Sequence, residues 1–512
     1  MPINSHKNFI LLLILISFSA AILSFISPAV AIGFFLLEIF ILLAAQKPIW
    51  LIYGLTLYMP FEPFALKFAN DNFFLFLKYG LEIGIFILFT AVAGKLFLHR
   101  LRNNNLLKKE FIKTPIDKPL LIFITITAIS AIANLTGPIY WILGLRQIFR
   151  FTLLYYTIIY LNPAKKQIKT IIIILLFLLA IQSAIGIGQA LIGKSADQFL
   201  IPDKVREIGE ITTSDFVEQS WSSGQRIFAT MGRYDKLGTF LCLAILISFG
   251  FFLETKDKKI KKIFLLLIIF ALPALILTYS RMSWLGAAIG ICFVGIIIKK
   301  NKLIAFLTAI MACLFLIYII SYISNNNLII NRIIDKKSMG VGERFLMLFS
   351  ATEFKGSYKG YGRFYFIINT PLKVIKKYPV IGVGLGRYGS GVSAALGSRE
   401  IYNELNIAYG IQNYLGSIDN NWFSLWGETG TLGIISFIWI IASLFIFTYK
   451  FYKTTNDNFS KGLALGFLAV ILAVSLQGFL GQYFEVRPLS FYFWLLGGAV
   501  VSLEHSLCVY CK

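Results

Sequence analysis

Stretches of apolar residues long enough to cross a bilayer recur along the whole chain, separated by short polar gaps. A helix needs about 20 such residues to span the hydrocarbon core. Hydrophobic residues make up 57% of the sequence and charged residues 14%, whereas soluble globular domains carry about 25% charged residues. Because the runs are continuous rather than alternating, and lipid-exposed backbone must satisfy its own hydrogen bonds, the sequence predicts an all-α integral membrane protein.

The apolar runs predict roughly 12–14 transmembrane helices. The runs with the clearest bounds cover residues 10–26, 73–97, 120–135, 140–161, 171–192, 303–323 and 432–449. A further run starts at Ile49 and breaks at Met59-Pro60. The segment after this break is short enough to be partly re-entrant.

The positive charge of the chain is concentrated between the apolar runs. There are 48 basic and 25 acidic residues, a net charge of +23. The basic residues cluster in short gaps such as 95–118, 254–262 and 299–302, as in cytoplasmic loops that follow the positive-inside rule. This pattern predicts that both termini are cytoplasmic. It indicates a partner in membrane lipid and argues against nucleic-acid binding.

One hydrophilic interval is much longer than the others. It covers residues 324–421, between predicted helices 11 and 12. The alternation of the basic gaps puts this large loop on the extracytoplasmic side. We find no internal repeat and no low-complexity linker. We therefore predict a single polytopic membrane domain, residues 1–512, with the loop at 324–421 inserted between late helices.

Several arginines lie within or at the ends of the predicted spans. Arg146 and Arg150 are four residues apart and share one helix face. Arg226 and Arg233 flank the start of a span, and Arg281 follows Ser280 at the end of another. Ionisable residues at such positions are functional candidates, because their burial is costly. Two interpretations stay open: interfacial side chains that reach the lipid headgroups, or clamps that bind phosphate oxygens.

The large loop contains an amphipathic segment followed by glycines. Arg363 precedes apolar residues at helical spacing, a pattern also typical of a helix that lies on the membrane surface. Thr370 and Pro371 predict a helix restart, with Thr370 as the cap. Gly384–Gly389 matches G-x-G-x-x-G, but no βαβ pattern surrounds it. We interpret this motif as tight turns able to present backbone N–H groups to an anion.

Two carboxylates stand near the start of the apolar run that follows the loop. Either Asp419 or Glu428 could take a proton from a sugar hydroxyl. Alternatively, Asp419 or Asn420 could simply cap the helix that begins there. The two roles do not exclude each other.

The remaining residue types give no metal or redox site. The three histidines fall in regions predicted to be cytoplasmic or at the cytoplasmic edge: His6, His99 and His505. No Asp-x-Asp pair occurs in a predicted outer loop. The five cysteines form no disulfide framework, and the Cys-x-x-Cys at the C-terminus lacks a second ligand pair. We therefore predict no metal and no cofactor.

Four motifs follow one another between the seventh and twelfth predicted spans. They are RIFATMGRYDKLGTF at 226–240, LTYSRMSWLGAAIG at 277–290, Arg363 upstream of PVIGVGLG, and DNNWFSLWGETGTLG at 419–433. Together with the large loop, these motifs resemble the O-antigen ligase and O-antigen polymerase superfamily of bacterial surface-polysaccharide enzymes.

This resemblance implies glycan transfer from undecaprenyl pyrophosphate, without metal or nucleotide, on the outer face of the bacterial inner membrane. It implies that Arg281 and Arg363 hold the pyrophosphate. From their positions in or beside predicted spans, we predict the same role for Arg146, Arg226 and Arg233. The substrate would be an undecaprenyl-pyrophosphate-linked oligosaccharide, and a chain-length regulator is a candidate protein partner.

The position of Asp419 separates the possible activities. By resemblance, ligases carry a histidine there that is thought to act as the base. An aspartate followed by asparagine is more similar to polymerases of O-antigen, capsule or exopolysaccharide repeat units, which is the function that we favour. The alternatives are a ligase that joins polymer to lipid A core, a flippase or other transporter, and an idle assembly protein. Clustering of Arg281, Arg363 and Asp419 at the outer interface would favour an enzyme, and a midplane cavity would favour transport.

Overall fold

The computed structural model describes residues 28–69, 71–102, 112–202, 206–208, 211–213, 226–310, 313 and 351–510. The helices of the first half are α1 (Pro28–Gln46), α2 (Pro48–Tyr58), α3 (Glu62–Lys67), α4 (Asp71–Arg102), α5 (Asp117–Ala133), α6 (Pro138–Phe149), α7 (Thr152–Leu161), α8 (Lys165–Ile192) and α9 (Lys194–Leu200). Those of the second half are α10 (Tyr234–Glu254), α11 (Lys258–Leu277), α12 (Arg281–Cys292), α13 (Ala351–Lys359), α14 (Arg363–Asn369), α15 (Gly391–Ala395), α16 (Glu400–Glu404), α17 (Asn421–Thr454), α18 (Asn458–Gln477) and α19 (Arg487–Tyr510). Two three-residue strands, Arg206–Ile208 and Ile211–Thr213, pair antiparallel.

Within the described ranges, eight helices are long and apolar enough to cross a membrane. The number rises to nine if α6 and α7, which meet at an angle of 56°, count as one bent span. The prediction of an all-α integral membrane protein is confirmed. The predicted span at 10–26 and residues 311, 312 and 314–323 of the predicted span at 303–323 lie outside the described residues.

The predicted break at Met59-Pro60 takes the form of a single tight turn. Residues Met59–Phe61 form a 3₁₀ turn that joins α2 to α3, and the chain is helical again up to Lys67. Proline is compatible with the first positions of a helical turn, because its missing N–H has no partner there. The apolar stretch Pro48–Lys67 is thereby long enough to span.

Helices α10 and α18 form the centre of the bundle, with 83% and 72% of their spanning residues buried. Their contact is made by glycine. A Cβ on Gly250 of α10 would lie 2.4 Å from both the carbonyl oxygen of Gly462 and the amide nitrogen of Gly466. Because hydrocarbon solvates apolar side chains as well as a protein core does, helices in lipid gain stability from such close backbone approach.

We expect Gly250→Ala to lower the free energy of unfolding by about 1–3 kcal/mol, the usual cost of overpacking. Thermal unfolding of the detergent-purified protein, followed by tryptophan fluorescence, measures the change. Gly54→Ala in α2 is the matched control, because a Cβ there meets nothing within 4 Å. An unfolding temperature of Gly250→Ala equal to that of the control would contradict this packing.

The ends of the gaps at 254–262 and 299–302 lie at the same end of the bundle as the starts of α8 and α18. Lys165, before α8, pairs with Asp457, before α18. Glu254, at the end of α10, binds both Lys299 and the hydroxyl of Tyr452. These contacts tie together the ends of several helices that the sequence predicts to be on the cytoplasmic side.

The described part of the large loop, residues 351–420, packs around a small apolar core of its own. The core consists of buried residues from its helices and turns: Phe366, Val374, Val383, Tyr388, Ile401, Tyr402, Ile407, Ala408, Tyr409 and Ile418. This loop segment contacts the bundle at the end opposite the basic gaps. There the side chain of Asn134, after α5, donates to the carbonyl oxygen of Gly382.

Candidate functional site

Four charged residues from three parts of the chain form what we call the charged cluster: Arg233, Asp235, Arg363 and Asp419. Arg363 begins α14, and its Nη2 atom lies 3.6 Å from Oδ2 of Asp419. Arg233 donates from Nε and Nη2 to the two carboxylate oxygens of Asp235, each at 3.0 Å. Asp235 raises the pKa of Arg233, and Asp419 acts on it in the same direction. The loop segment and the start of α10 therefore meet at this cluster.

The orientation of Asp419 follows from the start of α17. Asn420 caps this helix, because its side-chain oxygen accepts from the amide of Phe423 at 3.0 Å. The amide of Asn421 is held by the carbonyl oxygen of Gly478 at 2.9 Å. Of the two predicted caps, Asn420 is the one used. The carboxylate of Asp419 stays 53% exposed and faces Arg363.

Two further predicted arginines lie on elements that adjoin the cluster. The guanidinium of Arg226 lies 4.3 Å from the ring centre of Tyr234, the residue between Arg233 and Asp235. Arg281 is the first residue of α12. The neighbouring Ser280 packs against Gly238 of α10, since a Cβ on that glycine would lie 2.8 Å from the Cβ of Ser280.

Arg146 has different partners. Its Nε and Nη2 atoms lie 2.8 and 2.6 Å from Oε2 of Glu82 in α4. Arg150 approaches the other oxygen of Glu82 at 3.5 Å, and Arg487 lies 2.8 Å from Glu62. Among the described residues, the ion pairs of Arg146 join helices and do not include the charged cluster. This geometry favours a structural role over the predicted binding of pyrophosphate.

The glycine-rich motif forms tight turns, and the anion at its backbone N–H groups is a carboxylate of the chain. Gly384, Gly386 and Gly389 all have positive φ, a conformation that glycine adopts without strain. Oε1 of Glu428 accepts from the amide of Gly386 at 2.9 Å, from the amide of Tyr388 at 3.2 Å and from Ser390 Oγ at 2.7 Å.

Glu428 therefore occupies a different environment from Asp419. Only 2% of the surface of Glu428 is exposed. Close contact between the turn and α17 occurs beside it, where a Cβ on Gly430 would lie 2.4 Å from the amide nitrogen of Gly382. The hydrogen bonds of Glu428 hold the turn against α17, and a catalytic role for this carboxylate stays a prediction. Asp419 is the more exposed carboxylate of the two.

The predicted helix restart at Thr370 is wrong. The chain continues from α14 into a π-helical segment, Thr370–Ile375, and Thr370 has helical φ and ψ of −59° and −55°. Its hydroxyl does not cap a helix but shares a 2.7 Å hydrogen bond with the hydroxyl of Tyr388. The wider π-turn accommodates Pro371 within a continuous helix.

The turn between α18 and α19 contributes to the site and was not singled out from the sequence. The carbonyl oxygen of Phe479 accepts from the side chain of Asn420 at 2.7 Å, and the amide of Phe484 donates to Oδ1 of Asn421 at 3.0 Å. Tyr483 is buried beside the charged cluster. The only sequence signal was a polar Gln-Tyr-Phe-Glu stretch between two apolar runs.

Glu485 ties the same turn to two other elements. Its Oε2 accepts from Gln147 of α6 at 2.5 Å and from the amide of Gly391 at 3.4 Å. Burial raises the pKa of Glu485, while the bond from Gln147 opposes this effect. Glu485 thus connects the loop segment and α6 to the same turn that binds the start of α17.

The arrangement has clear chemical capabilities. Guanidinium groups bind the oxygens of phosphates, and an exposed carboxylate beside them can accept a proton. Within the part of the chain that the structure describes, no group of three or more His, Cys, Asp or Glu side chains could hold a metal ion. The helices and the cluster define a multi-pass membrane protein with paired arginines and carboxylates at one end of its bundle.

A family model described as O-antigen ligase matches residues 263–438, about one third of the chain. This match supports the resemblance to the O-antigen ligase and polymerase superfamily, and it contains three of the four motifs, those from residue 277 onward. No curated protein sequence matches the chain. The matched region is thus similar to a family of membrane enzymes that transfer glycosyl groups.

The matched region contains only part of the site. Arg281, Arg363 and Asp419 lie inside it, whereas Arg233 and Tyr483 lie outside. The tertiary structure is therefore what joins the matched domain to the flanking helices.

Proposed function

We propose that this protein polymerises undecaprenyl-pyrophosphate-linked oligosaccharide repeat units on the outer face of the inner membrane. The observation that carries the proposal is the approach of Arg363 to Asp419 at 3.6 Å, with Arg233 in electrostatic contact. A cation for the leaving group and an exposed carboxylate for the attacking hydroxyl are the two functions that a metal-independent transfer needs.

In the proposed reaction, Arg363 and Arg281 bind the pyrophosphate of the donor, and Arg226 and Arg233 add positive charge around it. The acceptor hydroxyl oxygen forms a bond to the anomeric carbon of the donor. The bond from that carbon to the pyrophosphate oxygen breaks, and its electron pair stays on the leaving group. The proton of the acceptor hydroxyl passes to Asp419. Arginines help because charge that develops on the leaving oxygen meets preorganised donors.

Asp419 supports polymerisation over ligation. By family resemblance, ligases have histidine at this position, and the present carboxylate stands next to Asn420, which is occupied as a helix cap. A ligase that transfers polymer to lipid A core is the alternative within the same superfamily.

The placement of the cluster supports an enzyme over a flippase. Arg363 begins α14, Asp235 lies in the first turn of α10, and Asp419 lies two residues before α17. These helix ends are far from the middle of a span, where transporters usually place their polar groups.

The proposal includes a topology. Residues 1–512 form one membrane domain, the loop at 324–421 is extracytoplasmic, and both termini are cytoplasmic. This orientation would put the basic end of the bundle in the cytoplasm, in agreement with the positive-inside rule. A chain-length regulator would bind on the extracytoplasmic side, and the reaction would need no metal or cofactor.

The test is the length profile of surface glycan in cells that lack this protein. We expect single repeat units in place of the ladder of long chains on a gel of extracted surface glycan. Expression of the intact protein from a plasmid is expected to restore the ladder. Full-length polymer stranded on the lipid carrier would instead identify a ligase, and an unchanged profile would remove both activities.

A further inference from the structure

Tyr483 is a buried tyrosine whose position neither the matched domain nor the motifs account for. It lies in the turn between α18 and α19, outside the matched residues 263–438. Only 7% of its surface is exposed. Position 481 is glycine for a steric reason, since a Cβ on Gly481 would lie 2.5 Å from Cε2 of Tyr483. Gly481 therefore leaves the room that the ring of Tyr483 occupies.

Tyr483 lies close to the charged cluster. The phenol interacts electrostatically with Asp235, Arg363 and Asp419. Hydrogen bonds from the same turn to Asn420 and Asn421 fix its distance from Asp419 along the chain. The turn between α18 and α19 thus brings Tyr483 to the charged cluster, to which α10 and the loop segment also contribute residues.

Among the described residues the hydroxyl of Tyr483 forms no hydrogen bond, and it is not one of the enclosed side-chain atoms that lack a partner, so it is accessible from outside. Buried tyrosines normally satisfy their hydroxyl, as Tyr402 does with the carbonyl oxygen of Gly416 and Tyr492 with that of Thr56. A phenol with a buried ring and an accessible hydroxyl, in electrostatic contact with Arg363, is suited to donate to a bound ligand. Burial raises the pKa of Tyr483, so the group keeps its proton at neutral pH.

We propose that Tyr483 is a further catalytic residue, which donates a hydrogen bond to a phosphate oxygen of the departing pyrophosphate. The inference rests on the proposed function. Arg363 would neutralise the charge on this oxygen, and the phenol would add a directed donor from the opposite side. The phenol does not transfer its proton: the electron pair of the broken bond stays on the pyrophosphate, and the acceptor proton goes to Asp419.

The test uses the full-length protein in lipid nanodiscs with a lipid-pyrophosphate-linked oligosaccharide, followed by chromatography of the products. Tyr483→Phe keeps the ring and removes the hydroxyl. We expect kcat to fall by about 100-fold, as when one donor of an oxyanion site is removed, with KM changed less than about threefold. Tyr492→Phe is the matched control, because it removes a buried hydroxyl that bonds to Thr56 of the bundle. It is expected to lower thermal stability and to leave kcat unchanged.

The outcomes distinguish a failure of this inference from a failure of the proposed function on which it rests. If Arg363→Ala is inactive and Tyr483→Phe has wild-type kcat, Tyr483 is not catalytic and the proposed function stands. If Arg363→Ala is fully active, the proposed function fails as well.

Should Tyr483→Phe not fold, incorporation of 3,5-difluorotyrosine at position 483 replaces it. The more acidic phenol ionises at lower pH, and activity is then expected to decline at a lower pH than in the wild type. An unchanged pH profile would overturn the inference.

Discussion

Replacing Arg363 with alanine is expected to abolish polymer formation while the protein remains folded in the membrane. The substitution removes the guanidinium that pairs with Asp419 at 3.6 Å and that we propose binds the leaving pyrophosphate. Loss of one preorganised donor to developing charge lowers kcat by about 10²–10³-fold. Arg363 is 26% exposed at the edge of the loop segment, so little packing is lost. The measurement is the glycan ladder in cells, together with kcat of the purified variant and its amount in the membrane fraction.

Arg399→Ala is the matched control for this experiment. Arg399 belongs to the same loop segment, is exposed, and lies over the ring of Tyr409 at 4.5 Å. We expect normal polymer from this variant. Arg281→Ala is expected to behave like Arg363→Ala. Normal polymer from either of these two variants would remove the corresponding arginine from the site.

Asp419→Asn is expected to lower kcat by about 10²–10⁴-fold, the usual contribution of a general base. The amide has nearly the same shape as the carboxylate but cannot accept the proton of the acceptor hydroxyl. The side chain is half exposed and Asn420 supplies the helix cap, so the unfolding temperature should stay near that of the wild type. Glu404→Gln, which changes an exposed carboxylate elsewhere in the loop segment, serves as the control and should retain full activity.

Glu428→Gln provides the decisive comparison with Asp419→Asn. Because Glu428 accepts three hydrogen bonds in a buried turn, the amide should reduce stability by about 1–3 kcal/mol. The folded fraction should keep more activity than Asp419→Asn. The reverse order, with a stable but inactive Glu428→Gln, would transfer the role of base to Glu428.

The helical bundle could be predicted from the sequence because each spanning helix is encoded by one local run of apolar residues. Runs such as 171–192 are apolar over the whole length of a span, and a helix alone can satisfy the backbone there. The structure accordingly has helix α8 over Lys165–Ile192. The glycine turns were predictable for a similar reason, because Gly384, Gly386 and Gly389 have the backbone freedom that such turns use.

The division of labour between the two carboxylates could not be predicted in this way. Asp419 and Glu428 are nine residues apart in one motif and look equivalent. Glu428 becomes buried only because the turn at Gly386 folds back onto α17. Likewise, Arg146 could be recognised as an unusual intramembrane arginine, but its partner Glu82 is 64 residues away.

The sequence by itself determined the class of the protein, most of its apolar helices and the resemblance to the superfamily, because these depend on runs and motifs along the chain. The tertiary structure decided which side chains share a site. It joined Arg233, Arg363 and Asp419 from three elements, turned Glu428 inward, and brought Tyr483 to the cluster. The physical reason is that a pairing of charges across a bundle depends on long-range packing, which no local pattern of residues encodes.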